Sequence, residues 1–224
     1  IYKRSIMSKE IDEIFIATCD ESIVGFCNSN DLNFVLTSNE HERATERCAE
    51  ALIKIEKKLN KNFDVIVMIQ GDEPLIYPQM LDSLVKPFII DNSLQVCNLI
   101  NKIKKDIDVN NQNVVKVIKD INSNAIYFSR EAIPSSKLYK KNISYYKQLG
   151  LISFSRESIL KFISLAPTDF EIIESVDMNR FIENKIQIKL VETIYESKGV
   201  DTYEDFLEVN DLMKNDDLFL SYNV

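Results

Sequence analysis

Val65-Ile66-Val67-Met68-Ile69-Gln70-Gly71-Asp72-Glu73-Pro74 is the stretch that decides the fold. Its first five residues are apolar without alternation, and four of them are β-branched, as in a strand covered on both faces. Such a strand needs a layer of helices on each side. The expectation is therefore an α/β chain with a three-layer, mainly parallel sheet. The run stops at Gln70-Gly71, where a turn begins. Ligands of open α/β sheets gather at the carboxyl ends of strands. Gly71 lets a backbone approach a ligand closely, and the carboxylates beside it can hold a hard cation through oxygen. A solvated strand-to-helix turn has the same composition, so both readings stand at this point.

The same logic extends outward. Before this strand, Ile14–Ala17 and Phe34–Leu36 read as strands and Glu21–Ser29 as a short helix. From Glu42 to Leu59, Ala44, Cys48, Ala51, Leu52, Ile55 and Leu59 recur every three or four residues, the spacing of one helical face. After it come a helix over Pro78–Ile89, a strand over Gln95–Ile100 and a polar loop over Ile103–Asn113. Val114–Ile118 and Ala125–Ser129 read as a hairpin, and Leu149–Phe154 as a strand. Helices over Arg156–Leu165 and Asp169–Glu183, a strand over Ile186–Val191 and a helix from Thr202 complete the chain. With no repeat and no Gly/Ser- or Pro-rich linker, 1–224 reads as one domain.

Composition narrows the function classes. The chain has 224 residues, 45% hydrophobic and 28% charged, in the range of an ordinary globular domain. A net charge of −8 gives no general attraction to nucleic acid or anionic lipid. No segment approaches the roughly 20 apolar residues of a membrane span. Cys19, Cys27, Cys48 and Cys97 lack close pairing and read as buried thiols of a reducing cytosol, so a cytoplasmic location is expected.

Other residues could carry chemistry. Gly199-Val200-Asp201-Thr202 repeats the theme of glycine beside acid before a helix, although Thr202 and Asp205 also make a capping box. Only four glycines occur, and two accompany these acidic turns, Gly71 and Gly199. Glu171, Glu174 and Asp177 fall on one side of an expected helix, where a solvated acidic face is the plain alternative. His41 is the sole histidine, which excludes a histidine metal cluster. Arg43, Arg47, Lys116 and Arg130 could meet phosphate or carboxylate, or form ordinary surface ion pairs.

Taken together, several segments resemble the 3-deoxy-D-manno-octulosonate (Kdo) cytidylyltransferases. They are Ile16–Glu21, Leu36-Thr37-Ser38 with His41, Thr45-Glu46-Arg47 with Ala49-Glu50, and Gln70–Pro74. They continue in Asn113–Val117, Tyr127–Arg130 with Ile133-Pro134, Leu149-Gly150, and Gly199–Thr202 with Glu204-Asp205. The resemblance implies a nucleotide-diphospho-sugar-transferase-like fold and a homodimer. It implies CMP transfer from CTP to the anomeric hydroxyl of a sugar acid, with pyrophosphate released. Asp72 and Asp201 would be the catalytic, magnesium-holding carboxylates. Gln70, Thr45, Arg47, Lys116, Arg130, Gln148, Glu171 and Glu174 would bind substrate, and residues 145–185 would form a dimerisation and sugar-binding insertion.

This chain departs from the family pattern in three ways. Ile1–Ser5 aligns with the helix that follows the family's basic phosphate-gripping loop, so the chain as it stands is expected to bind CTP poorly. Glu42-Arg43-Ala44 stands where the family has Gln-Ser-Gly. Gln148, Ile152 and Met178 replace His, Tyr and Gln, which implies a changed hydroxyl pattern in the accepted sugar.

Overall fold

The computed structural model describes residues 1–138 and 143–222. Helix α1 (Tyr2–Ser5) leads into β1 (Ile16–Thr18), α2 (Glu21–Ser29), β2 (Phe34–Leu36) and α3 (Ala44–Leu59). Then come β3 (Val65–Ile69), α4 (Pro78–Ile90), β4 (Val96–Lys102), α5 (Asp106–Val109), β5 (Lys116–Lys119) and β6 (Ala125–Ser129). The chain continues through β7 (Tyr146–Ser155), α6 (Arg156–Phe162), α7 (Asp169–Glu174) and α8 (Met178–Glu183). It ends with β8 (Ile188–Glu192), α9 (Tyr203–Lys214) and α10 (Asp217–Ser221).

The expected layering is present, but strand direction is mixed. β1 pairs with β2 and β4 with β8 in parallel. The long β7 lies between β4 on one side and β3 followed by β5 on the other, antiparallel to all three. The crossover β3–α4–β4 thus steps over β7, and β5 and β6 form an antiparallel hairpin. A sheet expected to be mainly parallel is corrected to a mixed one. Local hydrophobic pattern specifies that a strand is covered on both faces; it does not specify its direction.

β7 shows why both faces must be covered. Leu149 and Leu151 point into one core with Ile76, Met80, Leu84 and Phe88 around α4. Ile152 and Phe154 point into the other, with Ala49 and Leu52 of α3, Ile159 and Phe162 of α6, and Phe181 of α8. Phe154, Phe162 and Phe181 are fully buried, with the Phe181 ring centroid 5.9 Å from that of Phe154 and 5.1 Å from that of Phe162. Each such ring contributes roughly 1.5–3 kcal/mol from burial. The segment 145–185 therefore begins at the middle of the main sheet.

Two further local differences matter. The single helix expected over Asp169–Glu183 is split, because Ser175 adopts a left-handed conformation at φ 50°. Tertiary bonds hold the break: Arg43 donates to Ser175 Oγ (3.0 Å), and Thr45 Oγ1 donates to Asp177 Oδ2 (2.9 Å). Of the four cysteines expected to be buried, Cys27 and Cys97 are, Cys48 is partly covered and Cys19 is exposed. No helix among the described residues is long and apolar enough to cross a membrane.

Candidate active site

The Gln70–Pro74 turn leaves the carboxyl end of β3 and is fastened to two distant segments. Gln70 N–H donates to Gly150 O of β7 (2.8 Å), and Val200 N–H donates to Asp72 O (2.9 Å). The second bond joins the two acidic turns singled out in the sequence. Glu73 is only 6% exposed, and both its carboxylate oxygens are occupied. One accepts from Gly150 N–H (3.0 Å), the other from Ser197 Oγ (2.5 Å). One buried carboxylate thus ties the turn, β7 and the 197–201 loop together. Burial pushes its pKa up, although the two hydrogen bonds favour the charged form.

Around these ties lies a cleft of about 240 Å³. Asp72, Asp201, Lys147, Gln70, Gln148 and Arg130 all line it. Ile152 and Met178 supply apolar surface, and Asp177 lies beside Met178. The Asp72 carboxyl is shifted upward, first by desolvation and then by the charge of Asp201. No basic side chain among the described residues forms an ion pair with either aspartate within 4 Å. Two convergent carboxylates short of counter-charge are the donor set a hard divalent cation accepts. The chemistry of these donors therefore fits magnesium. Asp177 is likewise pushed upward by burial, opposed by its two hydrogen bonds from Thr45.

Of the residues named from sequence, Asp72, Asp201, Gln70, Arg130 and Gln148 meet in this cleft. The other five stand behind it. Thr45 holds Asp177 through both N–H and hydroxyl, while Arg47 donates to Thr37 Oγ1 (2.6 Å) and Ser38 O (2.9 Å) at the end of β2. Lys116 is fully buried, and its ammonium donates to the carbonyls of Asn111, Val114 and Arg130. Desolvation lowers its pKa. Glu174 accepts from Tyr127 OH (2.9 Å), Ser129 Oγ (2.7 Å) and Arg130 N–H (2.8 Å), so it braces the strand carrying Arg130. Glu171 is fully buried in a two-bond pair with Arg180, both contacts at 2.6 Å. Glu171, Glu174 and Asp177 thus do three separate tasks rather than form one acidic face. Sequence reading offered Glu73 only as a carboxylate beside Gly71 and Asp177 only as part of an acidic helix side; the bonds that tie them to Gly150, Ser197 and Thr45 have no local signature.

Gly150 has a specific reason to be glycine. A Cβ there would lie 2.6 Å from Gln70 Oε1 and 2.9 Å from Gln70 Cβ. Its bare backbone lets the Gln70 side chain lie across β7 into the cleft.

Comparison with known proteins agrees with this geometry. The family described as "Cytidylyltransferase" matches residues 1–202. The 3-deoxy-manno-octulosonate cytidylyltransferase of Geotalea uraniireducens is 35% identical, over 96% of this chain and 87% of that protein. The enzyme of the same name from Thermodesulfovibrio yellowstonii is 37% identical, over 93% and 84%. The solved CMP:2-keto-3-deoxy-manno-octonic acid synthetase complexed with CTP superposes with a TM-score of 0.85 at 27% identity, covering 95% of this chain and 85% of that one. The α/β fold, the paired acidic turns and these matches place the chain in the cytidylyltransferase family, among the 3-deoxy-manno-octulosonate cytidylyltransferases.

Proposed function

We propose that this protein transfers CMP from CTP to the anomeric hydroxyl of Kdo or a closely related 3-deoxy-2-keto sugar acid. The observation that carries the reading is the fastening of Asp72 to the Asp201 turn by the Val200 N–H bond, beside a cleft that both aspartates line together with Arg130 and Lys147. The sugar oxygen attacks the α-phosphorus, the bond to the β-phosphate oxygen breaks, and pyrophosphate leaves while the hydroxyl proton is lost. Magnesium, held by Asp72 and Asp201, would neutralise charge on the phosphates. Arg130 and Lys147 supply positive charge inside the cleft. Ile152 and Met178 border the cleft as buried core residues and offer it no side-chain hydrogen bond.

The proposal includes a homodimer, supported by the exposed apolar residues Phe170, Ile172 and Ile173 of α7. It also includes a cytoplasmic location and use of the CMP-sugar in surface polysaccharide or lipopolysaccharide synthesis. The test is magnesium-dependent pyrophosphate release by the protein expressed from its native start codon, with Kdo and each of the four NTPs. CTP- and Kdo-dependent release that disappears in Asp72→Ala is expected. A well-folded protein that releases pyrophosphate with another nucleotide, or with none, overturns the reading.

A further inference from the structure

Gln148 stands in the cleft wall, and its side-chain amide is held by a residue that no substrate reaches. Its Nε2 donates to Asn98 Oδ1 at 2.6 Å. Asn98 is fully buried in β4, at the point where the pairing of β4 with β7 slips register between Asn98 and Ile100. Asn98 Nδ2 faces three backbone oxygens, those of Leu99 (3.0 Å), Leu149 (3.0 Å) and Leu151 (3.2 Å).

That arrangement settles both amides. A carboxamide has one accepting oxygen and one donating nitrogen. Rotating the Asn98 amide by half a turn would put its oxygen against three carbonyl oxygens and leave those acceptors unsatisfied in the core, a costly state. Asn98 Oδ1 must therefore point at Gln148, and only Nε2 of Gln148 can answer it. The Gln148 Oε1 atom is left without a protein donor among the described residues, at a cleft-lining position.

We propose that Asn98 is a positioning residue that locks Gln148 with its carbonyl oxygen toward the substrate, making Gln148 a specificity determinant for a hydroxyl that donates a hydrogen bond at that wall. This rests on the reading of the cleft as the sugar-acid site. The selection arises at a β-bulge: the slipped register frees the carbonyl of Leu149, the freed carbonyl requires a buried amide, and that amide dictates which atom of Gln148 the sugar meets.

The experiment is a double-mutant cycle on the full-length protein, with KM and kcat measured separately for CTP and sugar acid. Gln148→Met should raise the sugar KM about 3- to 10-fold, with the KM for CTP unchanged. Asn98→Leu should raise the sugar KM similarly, yet have no further effect on the sugar KM in the Gln148→Met background. Independent, multiplying effects of the two changes would overturn the lock, because they would show Asn98 acting on the fold alone.

Gln148→Glu tests the same point with Asn98 intact. A protonated glutamic acid can donate to Asn98 Oδ1, whereas a carboxylate cannot. The ratio of its sugar KM to that of the unaltered protein should therefore rise with pH. Taking the ratio sets aside the titration of Asp72, Glu73 and Asp177 that the two proteins share. A flat ratio overturns the inference while leaving the cytidylyltransferase reading standing; silence of the unaltered protein with CTP and sugar acid overturns both.

Discussion

Replacing Arg180 by Leu removes a guanidinium that is 2% exposed and grips the fully buried Glu171 through Nε and Nη2. Glu171 would then retain Thr168 N–H at 3.3 Å and Arg43 Nε at 3.4 Å, neither of which replaces two bonds at 2.6 Å. Leaving one partner of a buried ion pair uncompensated costs about 3–5 kcal/mol. For a chain of this size that corresponds to a fall in Tm of about 6–20 °C. The reverse change, Glu171→Leu, should be milder. Arg180 keeps Glu46 at 3.3 Å, the carbonyls of Phe162 and Leu165, and the face of the Phe162 ring at 4.0 Å. The combined variant, with both charges removed, should be more stable than Arg180→Leu alone. Thermal unfolding of the three variants measures the order. A shift under about 3 °C for Arg180→Leu, against the size expected for a broken buried pair, would refute the argument. So would a combined variant less stable than Arg180→Leu. The kinetics bear on the resemblance-based assignment of Glu171 to substrate: if the pair is structural, the combined variant keeps the sugar KM within about threefold well below its Tm.

Asp72→Asn should abolish most magnesium-dependent pyrophosphate release, by about 100-fold or more, without lowering Tm at neutral pH. The folded state holds the Asp72 proton more tightly than an ordinary aspartic acid does, so its carboxylate subtracts stability as pH rises above the ordinary value of 3.8 through the raised pKa; the amide removes that dependence. Gly150→Ala should cost about 1–3 kcal/mol in chemical denaturation, because the added carbon meets Gln70 Cβ, and it should raise the sugar KM by pushing Gln70 out of the cleft. Arg4 is fully buried, with bonds to Asp216 (2.5 Å), Ile76 O (3.0 Å) and Tyr222 OH (3.2 Å). Arg4→Leu should release α10, exposing the chain after Lys214 to limited proteolysis before the rest of the protein is cut.

The parts of the fold legible in sequence were those written in local periodicity. β2, β3 and α2 occupy the expected residues, and α3 begins only two residues late, since Arg43 is its N-cap rather than part of its first turn. The acidic turns were legible because each couples a rare glycine to a carboxylate at the end of a strand. What was not legible depends on partners far along the chain. The direction of β7 is set by three strands at once, and its first three residues, Tyr146–Gln148, are held by β4 and β5 rather than by a hydrophobic run of their own. The break at Ser175 is made by Arg43 and Thr45 at the start of α3, which overrides a helical pattern continuous through Glu183. Glu73 and Asn98 look like ordinary polar residues until their partners, Gly150, Ser197 and Gln148, are brought alongside.

The place of β7 also bears on how the molecule is made. Val65 pairs with Ser155 and Val96 with Phe154, so β3 and β4 flank a strand that leaves the ribosome long after both. Until then their facing edges are open, and the apolar surface around α4 has no floor. Contacts of such long sequence separation close slowly, and unpaired edges invite association between chains. The nascent protein therefore passes through an interval in which it is adhesive and has no cleft, and chaperone capture should be concentrated in that interval. Translation pauses before β7 has emerged from the ribosome would lengthen the hazard, and pauses after it has emerged would not.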